Sequence, residues 1–180
     1  MPNLSIDVSG LLRKPGSSET LNIHETLPPI EKGHEKIRVK GLAGISLILR
    51  EAGGKILAEG KLEANVELVC GRCLKTFDSR VEQSFIELFR KHGDFNREDP
   101  NEREDETFLA IQNNRIDLIP VLSQALVIAA PYKPLCDENC RGLCPVCGGD
   151  LNDGTHDHVV KEEEMTGYRA KLKRFKEQHP

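Results

Sequence analysis

The 180-residue sequence predicts an α+β protein built on an antiparallel β meander or partly open barrel with one buried helix. Residues 56–68 alternate apolar and polar side chains, which is the period of a half-buried strand. Residues 117–131 carry a wide apolar helix face, and residues 134–158 then concentrate four cysteines and two histidines. We therefore expect a core domain at residues 1–135, followed at residues 136–180 by a Cys/His-rich module and a C-terminal amphipathic helix.

The core domain opens with segments of strand character. Residues 4–8 (LSIDV) predict a short strand, and residues 36–51 predict a longer one that is rich in Ile, Val and Leu. The turn AGGK at residues 52–55 joins it to the alternating segment, so a hairpin is expected. Six residues of that segment point to one face: Ile56, Ala58, Leu62, Ala64, Val66 and Leu68. Residues 81–92 fit a helix or a strand, and we favour a strand that extends the meander.

The second half of the core domain predicts a loop and a helix. Residues 94–106 hold seven acidic side chains and a proline, so they cannot bury a face, and we expect a flexible acidic loop. Asp117 is placed to cap the following helix, Pro120 fits its first turn, and Pro131 ends it. The apolar face of this helix consists of Leu118, Val121, Leu122, Ala125, Leu126 and Ala129.

Composition restricts the class of protein. A chain of this length buries about 70% of its unfolded surface, so it needs no covalent staples. The net charge of −4 argues against binding nucleic acid by bulk attraction, and two Tyr, six Phe and no Trp are few for stacking on bases. No apolar leader or membrane span is visible, so we expect a cytoplasmic protein with no membrane contact.

The cysteines and two histidines have the spacing of metal ligands. Two CxxC pairs are present, and CxxC on a tight turn presents two thiolates to one cation. Eight residues are candidate ligands: Cys70, Cys73, Cys136, Cys140, Cys144, Cys147, His156 and His158. A structural zinc ion takes four ligands, so the count leaves alternatives open and permits a second ion.

Three quartets of ligands are plausible from spacing. The two CxxC pairs can combine as a zinc ribbon, or the four C-terminal cysteines can close one compact site. In the third quartet, Cys144 and Cys147 bind together with His156 and His158, with eight residues between the pairs. Cys70 and Cys73 can also be small buried residues that bind no metal.

Other uses of the cysteines fit the sequence less well. Disulfides are rare in a reducing compartment. Cys140, Cys144 and Cys147 spell CxxxCxxC, as in radical-SAM enzymes, but that chemistry requires a large α/β barrel with the motif near its start. A thioredoxin-like role requires a CxxC at a helix start in a βαβ unit, and neither pair has that context.

Three motifs together resemble the YceD family, bacterial and plastid proteins associated with accumulation of large-subunit ribosomal RNA. They are VCGRCLKTF at residues 69–77, the IDL that opens the helix, and PLCDENCRGLCPVCGGDLN at residues 134–152. The resemblance runs from about the first hairpin to the end of the chain. It implies a non-enzymatic role in the assembly of the large subunit or the stability of its precursor RNA.

The chain departs from the family pattern at two places. Many similar sequences continue after LN with Cys-x-Cys and then Asp-Pro-Arg. Here His156, Asp157 and His158 stand at the first place, and TGYRAKL stands at the second. Histidine preserves metal binding, which favours the third quartet. Other relatives keep CxRCL but lack the C-terminal cysteines, which implies that metal stabilises this version of the protein.

The basic C-terminal segment supplies candidate RNA contacts. Met165, Tyr168, Leu172 and Phe175 recur at heptad spacing and predict an amphipathic helix. Basic residues surround them, and with Arg72 they form the predicted RNA-binding set: Arg72, Arg169, Lys171, Lys173, Arg174 and Lys176. Each of these residues, taken singly, is also explained by solubility.

The leading hypothesis is a non-enzymatic ribosome-biogenesis factor that supports 23S rRNA accumulation by binding rRNA or a pre-ribosomal protein. It would hold zinc, and it would have no small-molecule substrate. The alternative is a zinc-ribbon interaction or regulatory module without RNA contact. A third class, thiol oxidoreductase, requires a reactive thiolate and turnover of a disulfide.

Overall fold

The computed structural model describes residues 4–32, 35–91 and 109–154. The chain divides into two compact units. The sheet unit comprises Met1–Val69 and Thr76–Pro134, and the cysteine unit comprises Cys70–Lys75 and Leu135–Pro180. The division into a core domain at residues 1–135 and a module at residues 136–180 stays a prediction.

The sheet unit is built from long antiparallel strands and one helix of several turns. Its strands are β1 Ser5–Asp7, β2 Ser18–Glu25, β3 Ile30–Lys32, β4 Glu35–Ala52, β5 Lys55–Val69, β6 Thr76–Lys91, β7 Leu109–Ile111 and β8 Arg115–Asp117. Its helices are α1 Ser9–Leu12 and α2 Ile119–Ala129. The main sheet has the strand order β2-β4-β5-β6-β7. The short strand β3 pairs with the first residues of β4, and β1 and β8 form a separate two-stranded sheet.

The main sheet is open. Its pairs are antiparallel except for the short parallel pair of β6 and β7. Within the described residues β2 and β7 are its edges, and no pairing joins them. The predicted antiparallel meander is therefore confirmed, whereas the sheet does not close into a barrel.

The hairpin of β4 and β5 forms as predicted. Gly53 and Gly54 have φ of 62° and 82°, the left-handed backbone that a two-residue turn between twisted strands requires. The six residues predicted to face inward from β5 are all buried, from Ile56 to Leu68. β6 pairs with β5 along most of its length, which confirms that residues 81–91 are strand.

A close approach between strands fixes Gly60 as glycine. Gly60 lies opposite Phe85 on the neighbouring strand. A Cβ at Gly60 would lie 2.6 Å from the Ser46 carbonyl oxygen and 2.7 Å from Phe85 Cζ. The aromatic ring therefore occupies the space that a side chain at residue 60 would need.

The outward face of the sheet carries alternating charge. Lys61 Nζ lies 2.8 Å from Glu82 and 3.1 Å from Glu63, and Arg80 binds Glu63 at 2.6 Å. Further pairs follow the same face: Arg50–Glu59, Lys40–Asp78, Lys40–Glu67 and Arg38–Glu67. Exposed pairs of this kind stabilise little. The basic side chains of these pairs therefore have acidic neighbours, which partly cancel their charge.

A buried carboxylate ties the hairpin turn to the segment before β2. Glu51 is 8% exposed, and its oxygens accept the backbone N–H groups of Gly16 at 2.7 Å and Gly54 at 2.6 Å. These two hydrogen bonds hold the pKa of Glu51 below its usual value, and the bond from Gly54 has the larger effect. Both bonds favour the ionised form of the side chain.

The helix α2 packs its apolar side into the core of the sheet unit. Val121, Leu122, Ala125 and Leu126 are buried, as predicted. Asp117 accepts the Ile119 N–H at 3.0 Å, although the residue at the capping position itself is Leu118. The helix ends before Pro131, whose ring favours the extended backbone found at Ala130.

Two sequence predictions fall on residues outside the described ranges. They are the acidic loop at 94–106 and the C-terminal helix. Among the helices that the structure describes, none has the length and apolarity needed to cross a bilayer.

Candidate metal centre

The first CxxC pair lies on a tight turn between β5 and β6. Cys70 N–H donates to the Lys75 carbonyl at 2.9 Å, and Leu74 N–H donates to the Cys70 carbonyl at 3.0 Å. Leu74 adopts a left-handed φ of 60° to close the turn. The side chains of Cys70 and Cys73 are both buried. We call this segment, Cys70–Lys75, the first CxxC turn.

Four sulfur atoms from two distant segments converge. Cys70 Sγ lies 3.8 Å from Cys140 Sγ, and Cys73 Sγ lies 3.6 Å from Cys136 Sγ. All four sulfurs lie within 4.8 Å of one another, and none forms a disulfide. Four thiolates about 2.3 Å from a tetrahedral zinc ion would be about 3.8 Å apart. These four cysteines, the four-thiol cluster, therefore have the spacing that a metal ion of that size requires.

The backbone around the cluster stabilises thiolate. The Cys73 N–H, with further amides that include Arg72 N–H at 3.4 Å, lowers the pKa of Cys70 to about 6. The neighbouring Cys73 sulfur and burial instead raise the pKa of Cys136 to about 12. Four adjacent thiols cannot all ionise without a cation, because like charges at this distance oppose one another. A bound divalent ion removes that conflict.

Arg72 fixes the loop that carries the other two ligands. Its Nη1 atom donates to the carbonyl oxygens of Glu138 at 3.0 Å and Cys140 at 2.8 Å. Gly142 follows with φ of 76°, and a Cβ there would lie 3.1 Å from the Arg72 carbonyl oxygen. Arg72 was predicted to contact RNA, and the structure places its guanidinium against the backbone of the cluster.

A second group of polar contacts holds the rest of the cysteine unit. Asn152 Nδ2 donates to Cys140 Sγ at 3.4 Å, and Asn152 Oδ1 accepts the Arg141 N–H at 2.8 Å. Lys75 Nζ lies 2.8 Å from Asp150 and 3.0 Å from Asp153. Both carboxylates raise the pKa of Lys75, and Asp150 has the larger effect. Groups that orient metal ligands in this way typically govern metal affinity.

The remaining CxxC pair is a separate turn, Cys144–Gly149, which we call the second CxxC turn. Cys144 is buried and Cys147 is exposed. Neither belongs to a group of three or more ligand atoms within 4.8 Å among the residues that the structure describes.

The structure therefore brings together four ligands that form none of the three quartets predicted from spacing. Each predicted quartet contained Cys144 and Cys147, whereas the four-thiol cluster joins the first CxxC turn to Cys136 and Cys140. Spacing offers no signal for this pairing, because more than sixty residues separate the two halves. His156 and His158 lie outside the described residues, as do the predicted contacts Arg169, Lys171, Lys173, Arg174 and Lys176.

Comparison with known proteins gives one family and several relatives. The family described as large ribosomal RNA subunit accumulation protein YceD matches residues 58–176. Uncharacterized proteins of Mycobacterium tuberculosis and Mycobacterium bovis are each 31% identical over 151 residues, 82% of this chain and 70% of theirs. One of Mycobacterium leprae is 27% identical over 148 residues, 81% of this chain and 66% of its own. No solved structure matches.

Proposed function

The chain belongs to the YceD family, and on that premise we propose that it is a non-enzymatic factor supporting accumulation of large-subunit (23S) rRNA. We infer that it acts in the cytoplasm by binding rRNA or a pre-ribosomal protein, with a zinc ion in its four-thiol cluster. The observation that carries this proposal is the family match at residues 58–176. It includes all six cysteines and the basic C-terminal segment.

Zinc is supported by the composition of the cysteine unit. In its described part, the buried apolar side chains are Cys70, Cys73, Cys140 and Cys144, with no large aliphatic side chain among them. A segment without an apolar core needs another source of folding free energy, and a structural metal supplies it. Four thiolates in tetrahedral spacing select zinc or an iron–sulfur centre, and a closed site with one ion is typical of structural zinc.

RNA contact is assigned to the basic C-terminal segment. In the described part of the sheet, Lys40, Arg50, Lys61 and Arg80 each lie beside an acidic side chain, which weakens the attraction of these residues for phosphates. The five basic residues at 169–176 are close in sequence, and attraction to phosphate there is favoured by their local density. We assign Arg72 to positioning the ligand loop, since its Nη1 atom is already bound to two carbonyls.

Sedimentation of the full chain with large-subunit precursor particles tests this proposal. A variant carries glutamine at five positions of the tail: Arg169, Lys171, Lys173, Arg174 and Lys176. A charge-matched control carries glutamine at five ion-paired positions of the sheet: Arg38, Lys40, Arg50, Lys61 and Arg80. The tail variant should bind more weakly and should lower the slope of log affinity against log salt by up to about 3.5. The control should bind as the native chain does.

A protein-interaction module without RNA contact is the second candidate. It is favoured by exposed apolar side chains on both CxxC turns, since Leu74 is 63% exposed and Val146 is 56% exposed. This candidate predicts binding that survives nuclease treatment and is insensitive to salt. It also predicts that Leu74→Ser with Val146→Ser abolishes binding, whereas the tail variant leaves it unchanged. Those results would replace the RNA proposal.

A further inference from the structure

The cysteines of the four-thiol cluster differ in their access to solvent. Cys70, Cys73 and Cys140 are buried, at 0%, 4% and 4% exposed, whereas Cys136 is exposed. A reactive cysteine is a thiolate that the reagent can reach, and buried structural cysteines are inert. A small oxidant that enters from solvent therefore meets the cluster first at Cys136.

Cys136 contacts the sulfur of a buried cysteine on the other segment. Its Sγ atom lies 3.6 Å from Cys73 Sγ, and since a disulfide bond is about 2.05 Å long, the two atoms need to approach by about 1.5 Å. Cys136 lies outside the helices and strands, so a shift of this size disrupts no ladder of backbone hydrogen bonds. Cys70 Sγ and Cys140 Sγ form a second contact of the same kind at 3.8 Å.

We propose that Cys136 is a modification site, at which hydrogen peroxide oxidises the cluster, joins Cys73 to Cys136 and releases the bound zinc ion. This inference rests on the proposed function for one component, the zinc ion of the four-thiol cluster. An ion held by four thiolates loses two ligands when one disulfide forms, because thiolate is the form of cysteine that binds metal.

The oxidation proceeds in two balanced steps. The Cys136 thiolate attacks one oxygen of hydrogen peroxide, the O–O bond breaks and hydroxide leaves, so Cys136 becomes a sulfenic acid. The Cys73 thiolate then attacks the Cys136 sulfur, the S–O bond breaks and a second hydroxide leaves. Each sulfur gives one electron to the peroxide oxygens. A dithiol reductant reverses the change by thiol–disulfide exchange.

Pairing across the two segments determines the state of the cysteine unit after oxidation. Cys73 and Cys136 are 63 residues apart in the sequence, so their disulfide keeps the first CxxC turn attached to the ligand loop when the ion leaves. A disulfide between Cys70 and Cys73 would leave the two segments unlinked. The contact of Cys73 with Cys136 favours the first outcome. Oxidation thus exchanges a metal ion for a covalent link between the same two segments.

Zinc release and disulfide mapping test this inference on the full chain carrying Cys144→Ser and Cys147→Ser, in which every remaining thiol belongs to the cluster. Native mass spectrometry first counts the ions, and one zinc ion is expected. One equivalent of hydrogen peroxide should release it to a chromophoric chelator, and peptide mapping should find Cys73 paired with Cys136. A second equivalent should add the disulfide of Cys70 with Cys140. Dithiothreitol with zinc should restore the ion.

Two variants of this parent chain separate the exposed ligand from a buried one. Cys136→Ser leaves three buried thiols and should consume peroxide at least about tenfold more slowly than the parent. Cys140→Ser, the matched control, also loses one ligand but keeps the contact of Cys73 with Cys136, and should form that disulfide at the rate of the parent. Where either variant folds poorly, disulfide mapping of the parent chain still decides the pairing.

The outcomes distinguish this inference from the proposed function. A parent chain without zinc before peroxide is added contradicts the zinc ion of the proposed function. A zinc-loaded parent whose ion survives peroxide overturns this inference alone. A first disulfide between Cys70 and Cys73 also overturns it, as does oxidation of Cys136 to a sulfinic acid without a disulfide. Equal consumption of peroxide by Cys136→Ser and its parent overturns the assignment of the modification site.

Discussion

Arg72 offers a direct test of whether the surroundings of the four-thiol cluster hold its ligands in place. Its Nη1 atom donates to the Glu138 and Cys140 carbonyl oxygens at 3.0 and 2.8 Å. Both acceptors lie in the loop that carries two of the four sulfurs. The variant Arg72→Gln removes both hydrogen bonds. It also removes a positive charge beside the cluster, where four thiolates carry more negative charge than one divalent ion neutralises.

The expected size of the effect follows from these two bonds. A hydrogen bond to a charged group contributes about 1.5–3 kcal/mol. Because Arg72 itself is exposed, we assign about 1.5–3 kcal/mol to both bonds together, after allowance for water. With about 1.4 kcal/mol for each factor of ten, zinc affinity should fall by about 10- to 100-fold. This is the range typical of groups that orient metal ligands.

Competition with a chromophoric chelator measures this affinity, in a background that lacks Cys144 and Cys147 so that one site is observed. Arg141→Gln is the matched control, because Arg141 is exposed in the same loop and its side chain has no hydrogen-bond partner among the described residues. The control should keep its affinity within about threefold. Equal zinc affinity in Arg72→Gln and the native chain would refute the positioning role and would favour the predicted contact of Arg72 with RNA.

Three further predictions concern the sheet unit, each measured by urea unfolding. Gly60→Ala should destabilise it by about 1–3 kcal/mol, since the new methyl group overlaps a backbone carbonyl and an aromatic ring. Gly10→Ala, where the Cβ meets nothing within 4 Å, is the control. Phe89→Ala should cost about 3–5 kcal/mol because this ring is 1% exposed. Ile86→Ala, at a position 67% exposed, should cost less than about 0.5 kcal/mol. The amide bonds to ionised Glu51 lower its pKa and stabilise the fold at pH values above the unfolded-state pKa. This stabilisation is lost as pH falls through the folded-state pKa. The native chain should therefore exceed Glu51→Gln in stability near pH 7, and the difference should shrink as pH falls through the folded-state pKa of Glu51. A difference that persisted in acid would contradict the assignment of the amide bonds to Glu51.

The parts of the fold that were predictable have strong local patterns. The alternation of β5, the glycine turn before it and the apolar face of α2 each encode their structure within about fifteen residues. β2 was not predicted, because this edge strand has only two apolar side chains, Leu21 and Ile23, too few to make its alternation distinctive. The strands β7 and β8 have three residues each, too few for a pattern.

The candidate metal centre was predictable in its residue types but not in its pairing. The motif CxxC on a tight turn indicates a pair of candidate ligands, and both turns form. The choice of partner for Cys70 and Cys73 is set by the tertiary fold, which brings Cys136 and Cys140 beside them. All three quartets predicted from spacing contained Cys144 and Cys147, because CxxC marks a pair of ligands, whereas Cys136 and Cys140 have the spacing CxxxC.

X-ray absorption at the zinc edge tests the central claim most directly, on the full chain carrying Cys144→Ser and Cys147→Ser. The four-thiol cluster predicts one zinc ion with four sulfur neighbours at about 2.3 Å. It also predicts that Cys136→Ser with Cys140→Ser in the same background abolishes this shell. A chain purified without bound metal, or a zinc ion with nitrogen or oxygen among its nearest neighbours, would contradict it.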